Sequence, residues 1–131
     1  MGTPGAKQGD KVVALDTHVI MVPSPGGPVP TPMPMPFNGT LAGALASTIM
    51  IDNVPAAVKG STADNGPPHV PAGGPFQKPP SNQGTIETGS STVFFDGKEA
   101  ARMGDTAKTC NDPSDLPAGT VIATGTVMIG G

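Results

Sequence analysis

Residues 47–63 read STIMIDNVPAAVKGSTA and residues 91–107 read STVFFDGKEAARMGDTA, and the two align without a gap at a spacing of 44 residues. Each copy opens on a short β-branched or aromatic run (Thr48-Ile49-Met50-Ile51; Ser91-Thr92-Val93-Phe94-Phe95) and then meets a turn-forming pair, Asp52-Asn53 or Asp96-Gly97. Asp, Asn and Gly accept the positive φ angles of a two-residue hairpin turn at little steric cost, so each run is predicted to reverse directly after its strand. An Ala-Ala pair and a glycine, Gly60 or Gly104, follow in both.

Working outward, a partial third copy closes the chain. Gly119-Thr120-Val121 and Thr126-Val127 echo Gly84-Thr85-Ile86 and Thr92-Val93, and the strand run Thr126-Val127-Met128-Ile129 ends on a predicted turn at Gly130-Gly131. Gly9-Asp10 matches Gly104-Asp105, so the first and last segments are expected to complete a third unit between them. Repeats that bury their faces only against one another behave as one body. The expectation is a single domain over residues 1–131, with repeat units at about 40–66 and 84–110 and a third unit built from both chain ends.

Prolines recur every few residues and remove the donors and space a helix needs. Only Leu41–Ala46 has helical composition, and it is short. Two Pro-rich stretches, 22–37 and 67–80, favour extended backbone. Because they carry Met33, Met35, Phe37 and Phe76 and little charge, they read as ordered loops wrapping the hairpins.

The chain has 131 residues with 19 Gly, 17 Pro, four Phe and no Trp or Tyr, so a conventional aromatic core is hard to build. Charged residues are only 13% of the chain, which argues against the charge-rich composition of disordered proteins. A net charge of −3 with seven Lys and Arg provides no footprint for nucleic acid. No basic segment precedes an apolar one at the N-terminus and no apolar run approaches a membrane span, so synthesis as a soluble cytoplasmic protein is expected. The single cysteine, Cys110, cannot form an internal disulfide, so any staple must come from a metal or from assembly.

The strand, the Asp-Gly turn and the run Glu99-Ala100-Ala101-Arg102-Met103-Gly104-Asp105 resemble the repeat of the PAAR family, the tips of type VI secretion and related phage-tail-like contractile injection systems. Pro55-Ala56-Ala57-Val58 with Gly60 is a second, weaker match. The resemblance implies an all-β, conical, pseudo-threefold arrangement of short hairpins with Pro/Gly-rich loops, stapled by zinc near the apex. It also implies a monomer whose flat base sits on a trimeric VgrG-like spike, assembled at the tip of the apparatus and expelled on firing, with membrane met only in piercing. Small Ala100 and Ala101 would let backbones approach closely, Gly104 would permit the turn, and Arg102 and Asp105 would pair across it.

His18, His69 and Cys110 are the strong soft or borderline metal ligands of the chain. His18 follows Asp10 by eight residues, His69 follows Ser61 by eight, and Cys110 follows Asp105 by five, so each unit contributes one ligand after its glycine turn. Under a pseudo-threefold axis such loops converge, and zinc accepts mixed imidazole and thiolate ligation. The family pattern offers three histidines and a cysteine, whereas this chain has two histidines. The fourth position is open among Asp112, Asp115, a main-chain group and water. No HExxH spacing and no nearby Glu base accompany the histidines, so the ion is expected to be structural and the protein not an enzyme. An adaptor that couples effectors to the spike is the alternative reading, and a small zinc hydrolase a more distant one.

Overall fold

Twelve strands and no helix make up the described residues, 2–130, of the computed structural model. They are β1 (Thr3–Pro4), β2 (Lys11–Val22), β3 (Val29–Gly43), β4 (Met50–Ile51), β5 (Val54–Pro55), β6 (Thr62–Asn65), β7 (Gln83–Ile86), β8 (Phe94–Phe95), β9 (Lys98–Glu99), β10 (Thr106–Thr109), β11 (Leu116–Ile122) and β12 (Met128–Ile129). Six of them close a barrel in the order β10-β11-β2-β3-β6-β7, and the rest form three two-stranded sheets, β4-β5, β8-β9 and β1-β12. The fold is all-β.

The turn chemistry of the two copies acts as the sequence predicts. Asp52 and Asn53 take φ of 52° and 68°, and Asp96 and Gly97 take 53° and 80°, so both hairpins turn through paired left-handed residues. The third sheet is made differently: β12 pairs antiparallel with β1 (Thr3↔Ile129, Pro4↔Met128). The turn expected at Gly130-Gly131 includes a residue outside the described ones.

Three alanines explain how the units join. Ala6 N donates to Ala101 O at 2.9 Å, Ala101 N to Ala57 O at 3.1 Å and Ala57 N to Ala6 O at 2.9 Å, a closed cycle about an internal pseudo-threefold axis. All three are fully buried. Three backbones meet here, so the side chains between them must be small. Each alanine leads into the same turn: Asp10, Ser61 and Asp105 donate their amides to the carbonyls of Lys7, Val58 and Arg102, and their side chains accept from those residues' amides. Gly9, Gly60 and Gly104 sit in these turns at φ near 90°, a region L side chains adopt only under strain. The Arg102–Asp105 pair expected from the sequence forms, with Nη2 to Oδ1 at 3.0 Å, and Lys7–Asp10 repeats it at 3.1 Å.

Substituting Ala101 by leucine is accordingly expected to lower stability by about 1–3 kcal/mol through overpacking. Urea unfolding followed by circular dichroism would show it, and an unchanged midpoint would contradict the placement of the alanines at the axis.

Beyond the turns the barrel fills in layers of three. Leu41, Ile86 and Val121, each hydrogen-bonded to a turn, form the first layer and Val12, Ala63 and Ala107 the next, all buried. Gly39, Gly84 and Gly119 form a third, where added side chains would strike Phe37, Ala63, Thr109 or Val12. The Phe37 ring occupies the space left by Gly39 and Gly84 and plugs the barrel.

One expectation is corrected, and the one stretch of helical composition is accounted for. Leu41–Ala46 forms no helix, because Leu41 N donates to Asp10 O and its carbonyl accepts from Gly9 N, which ties it into the barrel. Much of the stretch 22–37, read as a wrapping loop, is strand: β3 starts at Val29 and pairs with β2 over twelve positions, from Val22↔Val29 to Lys11↔Thr40. Proline is tolerated because Pro30, Pro32, Pro34 and Pro36 occupy alternate positions, and a strand directs alternate amides to opposite sides. Opposite them, Met21, Val19 and Thr17 send their amides away from β3, to Pro75 O, Asp112 Oδ2 and Asn111 Oδ1. The prolines therefore fall where no amide is needed, and they blunt an exposed sheet edge.

Candidate metal centre

β2 continues past the glycine layer on the side away from the hairpins, and on this extension Asp16 and His18 project from one face, two residues apart. His69 follows β6 and Cys110 follows β10. The four residues are buried, and one ligand atom from each lies within 4.8 Å of the others. A tetrahedral zinc-like ion holds N, O and S ligands at about 2.0–2.3 Å, so a contraction of about an ångström at most per side chain closes the group around an ion.

The three residues singled out in the sequence are thus brought together, and Asp16 joins them. Neither Asp112 nor Asp115 belongs to the group. Asp112 accepts from Val19 N, and its Oδ2 stands 3.7 Å from His18 Nδ1. Asp115 lines a neighbouring cleft of about 110 Å³ with Lys78, Ser81 and His18. Asp16 was legible in principle, because a carboxylate two residues from His18 on a strand must share its face. The position equivalent to His18 and His69 in the third unit is Pro113, and the ligand comes three residues earlier, after a register shift in β10 between Ala107 and Thr109.

Each side chain is held by its surroundings. Asp16 Oδ1 accepts from Thr109 Oγ1 at 2.5 Å and from Asn111 Nδ2 at 3.3 Å, whereas Oδ2 faces His69 Nε2 at 2.9 Å and Cys110 Sγ at 3.5 Å. His69 packs against Phe37, with ring centroids 6.2 Å apart, so the aromatic plug separates the aliphatic barrel from the polar group. The His18 ring lies 4.9 Å from that of His69 and 5.8 Å from Phe76.

His18 provides the test of fit. Both its ring nitrogens are buried and have no hydrogen-bond partner among the described residues, a costly arrangement that a ligated ion would relieve. Burial holds its pKa below the usual histidine value, which keeps the neutral, ligating form. Burial also pushes the Cys110 thiol up to about 11, with the Asp16 carboxylate adding to the effect. Without an ion Cys110 is therefore a thiol at neutral pH, and ligation must expel its proton.

Comparison with protein families bears on the later part of this architecture: residues 77–131, from the segment before β7 onward, match the family model of the PAAR motif. That segment carries a PAAR motif. The matched PAAR segment contains Glu99–Asp105 and Cys110, while Asp16, His18 and His69 lie before it and rest on the geometry above. No curated protein matches the chain. In the PAAR repeat of this chain the second alanine is the residue at the axis, and the first segment supplies its own version, Pro4-Gly5-Ala6-Lys7, which alignment of the two full copies does not reveal.

Proposed function

We propose that the chain is a structural spike tip that caps and sharpens the trimeric central spike of a contractile injection system and leads it through the target membrane. The PAAR motif is consistent with a spike-tip protein. The observation that carries the proposal is the threefold cycle at the hairpin end. There one large apolar residue per two-stranded sheet, Met50, Phe94 and Met128, stands at least half exposed at an equivalent position. Their neighbours Ile51 and Ile129 are buried, so the outer residues are spare apolar surface. A single chain that repeats one apolar contact three times about an axis fits the end of a trimer better than it fits a single-copy partner.

On this reading the ion is zinc, held by Asp16, His18, His69 and Cys110 to stiffen the end away from the spike. One carboxylate and one thiolate neutralise its charge, which a buried site requires. Four protein groups close the coordination, so the ion serves structure and not turnover. The protein is made in the cytoplasm, carried at the tip as one copy and expelled on firing. Cleft-lining residues near the site give no specific support to the adaptor reading.

The test replaces Met50, Phe94 and Met128 together by serine. Retention by an immobilised trimeric VgrG-like spike from the same injection system is expected to fall at least tenfold, with the melting temperature nearly unchanged because the three side chains are exposed. Undiminished retention would overturn this docking surface.

A further inference from the structure

The ligand group is held by its neighbours in an asymmetric way. A carboxylate can ligate through one oxygen or both. Asp16 offers both, yet its two oxygens have different surroundings. Oδ1 already accepts two hydrogen bonds, from Thr109 Oγ1 at 2.5 Å and Asn111 Nδ2 at 3.3 Å, and only Oδ2 faces His69 and Cys110. The Asn111 amide cannot turn over to release Oδ1, because its own oxygen accepts from Thr17 N at 2.7 Å and its nitrogen also donates to Thr109 O at 3.2 Å. Thr109 is fully buried, and Asn111 nearly so. These two residues flank the ligand Cys110, so one tripeptide, Thr109-Cys110-Asn111, both supplies a ligand and clamps another.

We propose that Thr109 and Asn111 are positioning residues that keep Asp16 a single-oxygen ligand and so set the coordination number of the ion at four. The inference rests on the metal reading above and adds to it. Ligation by one oxygen leaves Asp16, His18, His69 and Cys110 as a closed tetrahedral set. With Oδ1 released, both carboxylate oxygens reach the ion and the set becomes five-coordinate, a looser geometry for a stiffening site. Hydrogen bonds to the far side of a ligand are worth about 10- to 100-fold in metal affinity.

The experiment uses cobalt(II) as the probe in the full chain, because its visible absorption reports coordination number and its charge-transfer band reports the thiolate. The wild-type protein is expected to show the intense bands of four-coordinate cobalt. Thr109→Val, nearly isosteric, is expected to keep the thiolate band, lose several-fold of the visible intensity as the ion becomes five-coordinate, and bind cobalt about 10- to 100-fold more weakly. Thr109→Ser, which keeps the hydroxyl, restores both. Should the valine variant fail to fold, Asn111→Ala is read by the same bands.

Wild-type intensity and affinity in both Thr109→Val and Asn111→Ala would overturn the positioning role and leave the metal centre standing. A wild-type protein that takes up no cobalt would overturn both together, so the two failures are distinct.

Discussion

Stripping the ion from the loaded protein with a chelator is expected to lower its stability by about 5 kcal/mol or more, some 15–20 °C in melting temperature. Asp16, His18, His69 and Cys110 form a buried group close enough to hold an ion. With the ion removed, His18 keeps two buried nitrogens without hydrogen-bond partners among the described residues. Cys110→Ser is expected to move in the same direction by a comparable amount, since it removes the thiolate that neutralises half of a divalent charge. The pH dependence has a definite sign. The thiol is raised to about 11 by burial, so ion binding displaces a proton and affinity rises with pH through the neutral range. Calorimetric melts with and without chelator would measure the effect, and coincident melts would contradict a structural ion.

Truncating Phe37 to alanine is expected to cost about 3–5 kcal/mol, the range for deleting a fully buried ring whose site cannot collapse. Collapse is blocked because the neighbours are Gly39 and Gly84, which have no side chains to move into the gap, and a closed strand barrel. The same truncation removes the ring that packs against His69, so metal affinity should weaken with it. Urea unfolding with an unchanged slope and a midpoint shift of that size is the predicted result. A loss below about 1 kcal/mol would show that the ring is not the plug between the barrel and the ligand group.

The hairpins were readable because Asp52-Asn53 and Asp96-Gly97 leave a strong local mark: few residues accept paired left-handed angles, and those that do stand out after a β-branched run. The candidate ligands His18, His69 and Cys110 were readable through their place in the repeat, and the structure brings them together. Asp16 shares the face of His18 on β2, a mark the sequence holds, but its burial shows only once barrel closure brings β2 against Thr109 and Asn111. The alanine cycle was half visible: Ala57 and Ala101 align, but Ala6 follows a glycine and precedes a lysine, and nothing local marks it as their equivalent. β3 was hidden for a physical reason of its own. Proline argues against a strand unless every missing amide points away from the partner, and that depends on a register which only the paired β2 defines.

That one chain acts as a threefold object and seats on a trimer is tested most directly by stoichiometry. Native mass spectrometry of the chain mixed in excess with a trimeric VgrG-like spike from the same injection system should give one chain per three spike subunits. Three chains per trimer, or no complex at all, would contradict it.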